Sequence, residues 1–166
     1  MNLLQVIGDL LEYPREWIKQ KETIMNLVSE CLSPNKYLII EFLKTASNYK
    51  ELDLEEIYVS TFDSNDYTTL YMTYYITGEE KSRTKTPKRG FLLAWLKSRT
   101  KINSNELPDY LPLLLKYLSN TDDEEVKKLI QEPIQILSDR LKEKKSIFYP
   151  LVLAAYLELY GGVNGG

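Results

Sequence analysis

Two pairs of carboxylates in this chain have a spacing that could do chemistry: Asp63 with Asp66, and Glu106 with Asp109, each three residues apart. Such a pair can divide the work of general acid and general base when its two environments push the proton affinities apart. Acidic residues three apart at helix starts also serve as caps and as partners of the helix dipole, and that structural role is the reading to be overcome. The rest of a catalytic or metal-binding apparatus is missing. The 166 residues contain no histidine, which removes the commonest general base and transition-metal ligand together. The single cysteine, Cys31, can form no internal disulfide and is a poor start for a metal site or a Cys/His nucleophile pair. The seven glycines form no phosphate loop. The expectation is a protein with no catalytic residues, no metal and no cofactor of its own, in a reducing compartment.

Two other patterns suit binding better than catalysis. Six of the thirteen tyrosines fall between Tyr49 and Tyr75, and tyrosine combines apolar area with a hydroxyl that needs a partner, as at core edges or recognition surfaces. A tyrosine cluster beside acidic turns is what a groove for a partner helix would need, with carboxylates at the rim pairing to basic residues of the partner. Lys81, Arg83, Lys85, Lys88, Arg89, Lys97, Arg99 and Lys101 form a basic stretch with no acidic residue between them. It reads first as a solvated loop and helix face. The rival reading is a helical module that binds nucleic acid or another acidic ligand through residues 81–101, although a net charge of -3 gives no global basic footprint for it.

The elements that must carry these residues are predicted to be helices. Leu3, Leu4, Ile7, Leu10 and Leu11 recur at helical spacing and stop near Tyr13-Pro14. A less regular apolar pattern runs from Arg15 to Cys31, and Ser33-Pro34 is a start signal for a third helix ending near Tyr49. Asp53 with Glu56 reads as a capping box for a helix through Tyr58 and Phe62. Asp66 is expected to cap a helix from Tyr67 to about Thr77, closed by Gly78, although its threonines and tyrosines would also suit a strand. A helix resumes at about Pro87 or Lys88. The next carries Leu107 to Leu118, with Pro112 expected to bend or split it. A long helix begins at Thr121-Asp122-Asp123, with an interruption or kink expected around Pro133, and a last one runs from Ile147 to Tyr160.

With 43% hydrophobic residues and this length, the expectation is an all-α, single-domain bundle of about eight or nine helices over residues 1–160. Residues 79–88 form an expected flexible connector and 161–166 a glycine-rich disordered tail. The N-terminus lacks the basic start of a secretory signal and no apolar run reaches the ~20 residues that span a bilayer. A cytoplasmic protein without stable membrane insertion is therefore expected, as a monomer or a helix-swapped dimer.

Four short segments carry a resemblance that goes further. Tyr58, Phe62 and Asp63 fit a Tyr-x-x-x-Phe-Asp element. Leu70, Tyr71, Thr73, Tyr74 and Gly78 fit a Leu-Tyr-x-Thr-Tyr segment ending in glycine. Arg89-Gly90 closes a basic turn, and Glu106 to Leu115 reads Glu-Leu-Pro-Asp-Tyr-Leu-Pro-Leu-Leu-Leu. In order and approximate spacing the chain resembles the NarJ-type assembly chaperones of nitrate reductase, the delta-subunit family, within a wider group that serves dimethyl sulfoxide and trimethylamine oxide reductases. It departs from the family in a longer turn between Gly78 and Arg89 and in its short glycine tail.

The resemblance implies an all-α cytoplasmic chaperone, not an enzyme. It would bind the N-terminal segment of a molybdoenzyme catalytic subunit and keep it competent for molybdenum cofactor insertion before membrane docking or export. Nitrate reductase is the first client; a sulfur-compound, selenate or dimethyl sulfoxide reductase is the alternative. The client-binding residues expected on this basis are Tyr58, Phe62, Asp63, Leu70, Tyr71, Tyr74, Glu106, Leu107, Pro108, Asp109, Tyr110 and Leu111, with Asp63, Glu106 and Asp109 at the groove edge. Lys81, Arg83, Lys85, Lys88 and Arg89 offer a second, basic partner surface.

Overall fold

A computed structural model describes residues 2–76 and 85–161, the side chains of 85–87 excepted. Eight α-helices make up most of it: α1 (Leu3–Leu10), α2 (Lys21–Ser29), α3 (Lys36–Ala46), α4 (Glu51–Tyr58), α5 (Lys85–Thr100), α6 (Leu111–Asn120), α7 (Glu124–Glu143) and α8 (Tyr149–Tyr156). Short 3-10 or π-helical turns join or extend several of them, and among the described residues the architecture is all-α, as the apolar periodicity predicts. None of the described helices is long and apolar enough to cross a membrane.

α1 packs on α6 and α8, α3 on α2 and α8, and α7 on α8. α8 holds the middle because it is apolar on every side, burying Leu151, Val152, Ala154 and Ala155. The close approach of α1 to α6 depends on Gly8: a Cβ there would lie 2.9 Å from the Pro112 carbonyl oxygen. Lys116 of α6 ties the same two helices by reaching Asp9 at 3.1 Å and Glu12 at 3.0 Å. A chain of rings, Trp17, Phe42, Phe148, Phe62, Tyr58 and Tyr13, runs through the core with neighbouring centroids 5.0–5.8 Å apart. Each ring fully buried there contributes roughly 2–3 kcal/mol.

Several boundaries differ from expectation. The segment after Tyr13 begins as two 3-10 turns before α2, and Trp17 is buried where they meet. Asn35, not Ser33, precedes α3; the Ser33 hydroxyl accepts the Asn35 N–H one turn earlier. α4 starts at Glu51, so Asp53 lies in its first turn and does not cap it. Pro112 bends nothing, because α6 starts at Leu111 and the proline sits in the first turn where its missing N–H has no partner to lose. Pro133 lies inside α7, which is continuous. The helix expected from Tyr67 to Thr77 does not form, for a reason given below. α5 begins at Lys85, ahead of the expected Pro87 or Lys88. Gly78, the first part of the connector and residues 162–166 of the glycine tail lie outside the described residues.

Candidate functional site

After α4 and its π-helical turn, residues 70–72 are fixed by main-chain bonds to a distant stretch. Tyr71 forms an isolated antiparallel bridge with Tyr110. The Met72 N–H donates to the Asp109 carbonyl at 3.0 Å and the Leu111 N–H donates to the Leu70 carbonyl at 2.8 Å. These bonds hold Tyr71 extended and leave only a 3-10 turn, Met72–Tyr75, where a helix was expected. The threonines support the irregular path: the Thr68 hydroxyl donates to the Thr61 carbonyl, and the Tyr75 hydroxyl reaches the Thr69 carbonyl at 2.6 Å.

Asp109 is the hub of this junction and is fully buried, not at a groove edge. Its Oδ2 accepts the Thr73 N–H at 2.9 Å and the Thr73 hydroxyl at 2.6 Å. The same hydroxyl accepts from Arg89 Nε at 2.8 Å, and the Arg89 guanidinium lies 4.0 Å from the carboxylate and 4.3 Å from the Tyr74 ring centre. A carboxylate with two donors and a cation can stay buried; one at this place without them could not. Its position is set by Thr73, a residue 36 places away in sequence.

The outer side of the junction keeps two carboxylates in solvent. Glu106 is exposed and accepts the Tyr71 hydroxyl. Asp63 is exposed at the end of the π-helical turn Val59–Asp63, and partial burial, then the charge of Glu106, raises its carboxyl above the ordinary aspartate range. Among the described residues neither forms an ion pair with a cation. Between them the Tyr71 and Tyr110 rings, both half-buried, lie 5.1 Å apart and tilted by 33°. The Tyr58 hydroxyl donates to the Leu11 carbonyl at 2.7 Å, so Tyr110, 3.3 Å away, is the donor to Tyr58. Burial pushes the Tyr110 hydroxyl up to about 12 and that of Tyr71 higher, so both stay protonated donors at neutral pH.

The twelve expected client-binding residues thus divide. Asp63, Tyr71, Tyr74, Glu106, Leu107, Pro108 and Tyr110 reach the surface, Leu107 being 44% exposed. Tyr58, Phe62, Leu70, Asp109 and Leu111 do not; they are core and support the surface from beneath. Of the basic set, Lys88 is exposed and Arg89 is turned inward to Asp109, whereas Lys81, Arg83 and the side chain of Lys85 lie outside the described residues.

Sequence reasoning missed a cleft of about 350 Å³ beside Glu106, lined by Leu93, Ala94, Lys97, Ile102, Leu107 and Pro108. The spacing of Leu93, Ala94 and Lys97 marks one face of α5, but nothing local says that the 102–108 loop folds onto it. It also missed Glu55, which is buried with the Tyr13 hydroxyl at 3.0 Å and Arg15 at 3.7 Å. No group of three His, Cys, Asp or Glu side chains that could hold a metal ion occurs among the described residues. What the surface offers is apolar area, aromatic edges and uncompensated negative charge, a combination suited to binding a partner with basic and apolar side chains.

Comparison with known proteins gives the same family as the sequence motifs. A family model described as nitrate reductase delta subunit matches residues 30–154. The chain is 31% identical over 164 residues to the probable nitrate reductase molybdenum cofactor assembly chaperone NarJ of Bacillus subtilis (strain 168), covering 92% of this chain and 86% of that protein. It is 32% identical over 165 residues to the probable nitrate reductase molybdenum cofactor assembly chaperone NarW of Escherichia coli (strain K12), covering 97% of this chain and 69% of that one. To the nitrate reductase molybdenum cofactor assembly chaperone NarJ of the same strain it is 29% identical over 150 residues, covering 86% of this chain and 63% of the relative. The chain belongs to the nitrate reductase delta subunit family.

Proposed function

We propose that this protein is an assembly chaperone for nitrate reductase: it binds the N-terminal segment of the catalytic subunit in the cytoplasm and keeps the apoprotein open until molybdenum cofactor has been inserted. Family membership supports the class of function. The observation that carries the site is the pair of exposed carboxylates, Asp63 and Glu106, flanking the half-buried Tyr71 and Tyr110 rings, with no cation of the described chain between them.

A client segment with an apolar stripe and a basic residue fits this surface. The stripe would lie on Tyr71, Tyr110 and Leu107, and the cation would offset the burial and, after it, the Glu106 charge that together raise the Asp63 carboxyl. Release requires only that the same segment bind better inside the finished enzyme than on the chaperone, so the chaperone shifts a population without consuming energy. The molybdenum cofactor is cargo of the client on this view, and the residues named here do not touch it.

Calorimetry of the purified protein with a synthetic N-terminal peptide of the nitrate reductase catalytic subunit tests the proposal. One-to-one binding is expected, weakened about tenfold or more by Glu106→Lys and by Tyr71→Ala, since a charge-assisted contact or an aromatic anchor is worth about 1.5–3 kcal/mol. Glu106 is solvent-facing, so Glu106→Lys should leave the melting temperature nearly unchanged, whereas Tyr71→Ala also removes a half-buried ring packed on Tyr110 and should lower it by a few degrees. Undiminished affinity in both variants would remove the site; no binding by the native chain would remove the client.

A further inference from the structure

α4 and α5 each turn to solvent a charged and apolar face that has no partner among the described residues, and the two faces are opposite in sign. On α4 and the turn that extends it, Glu51, Leu52, Asp53, Glu56 and Val59 are exposed, Leu52 at 71%. On α5 the outward residues are Lys88, Phe91, Ala94, Lys97 and Ser98, followed by Lys101. Phe91 is 73% exposed, and a Cβ added at Gly90 would meet nothing within 4 Å. Leu52, Glu56 and Val59, like Phe91, Ala94 and Ser98, are spaced to lie along one side of a helix.

Other charges of both helices are already matched. Glu55 takes Tyr13 and Arg15, and Arg99 takes Asp123 at 3.0 Å and Glu125 at 3.3 Å. The outward ones have no ion pair among the described residues. One of them also opposes its own helix: Lys88 lies in the first turn of α5, where the helix dipole favours the other sign. A charge placed against its dipole beside an exposed Phe gains nothing within the monomer.

From this complementarity we infer that a second copy of the chain docks head to tail, the acidic face of α4 in one copy lying on the basic face of α5 in the other. Phe91 and Leu52 supply the apolar centre, and Glu56 and Asp53 meet Lys97 and Lys101. The contact is heterologous, so it need not close on itself and association increases with concentration. A face of one short helix on another buries less than about 1,000 Å² in total, which places it among weak, transient contacts. The inference does not depend on the client site. A polyanion such as nucleic acid is the poorer partner for α5, because Phe91 lies in the middle of the face and the chain as a whole carries net charge -3.

Sedimentation velocity of the full chain, from about 10 µM to about 500 µM, tests this in low salt and in roughly 0.5 M salt, where exposed charges are screened beyond a few ångströms. The weight-average mass should rise with concentration in low salt and not in high salt. The double variant Lys97→Glu/Lys101→Glu should remain monomeric alone, as should Asp53→Lys/Glu56→Lys, and mixing the two should restore association. Phe91→Ser should abolish it without a charge change. A native chain that stays monomeric at the highest concentration overturns the inference, as does association that survives all three variants. A monomer that instead retains a single-stranded oligonucleotide, and loses it on Lys97→Glu/Lys101→Glu, overturns it in favour of nucleic acid.

Discussion

The junction of residues 70–75 with 106–111 and the helix α5 beside it share Arg89 but are built in opposite ways. The junction is dense in buried polar bonds: one carboxylate oxygen, one threonine and one guanidinium are linked around a two-residue bridge, while the Asp109 Oδ1 beside them has no hydrogen-bond partner. α5 has only Leu96 and Thr100 fully buried among residues 88–100 and leaves most of its length half-covered or open. The lesson is a division of labour within one motif. The aspartate of Glu-Leu-Pro-Asp is spent on holding the frame, while the glutamate three residues earlier stays in water and is free to meet a partner.

Breaking the dense side should have the largest effect. Asp109→Ala takes the acceptor from the buried Thr73 N–H and hydroxyl and the countercharge from Arg89, whose Nε keeps the Thr73 hydroxyl, at a cost of about 2–3 kcal/mol. Denaturant unfolding should show that loss, and client affinity should fall with it. The next effect comes from the other end of α5, where Arg99 meets Asp123. The guanidinium holds the Asp123 carboxyl down to about 2, with the Tyr117 hydroxyl and the Val126 N–H as further donors. A carboxyl whose proton affinity is lowered on folding stabilises the fold above its unfolded pKa, about 3.9, and this contribution is lost as pH falls from there through about 2. Asp123→Ala removes the α7 cap and the Arg99 anchor together and should cost about 1–2 kcal/mol at neutral pH. It should also flatten the loss of stability between about pH 4 and pH 2, as a melting series would show. The smallest effect sharpens the contrast from the open side: Phe91→Ser should change stability by no more than about 0.5 kcal/mol. A loss of about 2 kcal/mol there would mean that α5 is packed after all.

Local pattern was enough for the helices that bury a regular stripe. α1 carries its apolar residues at helical spacing, and α7 has Asp123 as a visible cap. It failed where the decisive bonds are remote. Tyr67 to Thr77 has the composition of either a helix or a strand, and the choice is made by Asp109 and Leu111, which no window around Tyr71 contains. Pro112 was read against a helix that was supposed to start earlier; once Asp109 and Tyr110 are drawn into the bridge, the helix can only begin after them. The candidate surface was half legible for the same reason. Residue types marked Tyr71, Glu106 and Leu107, but which carboxylate faces water depends on a threonine far away in the chain, and the cleft under α5 depends on how the 102–108 loop returns.

The seating of α1 on α6 has a consequence for how the chain comes into being. The Lys116 ammonium finds Glu12 across 104 residues of sequence, so α1 cannot complete its packing until α6 has followed it. Closing a loop of that length costs about 4 kcal/mol in chain entropy before any contact compensates, and such non-local contacts slow folding. Until α6 is in place, the stripe of Leu3, Leu4, Ile7 and Leu11 is an uncovered apolar face, open to unwanted contacts.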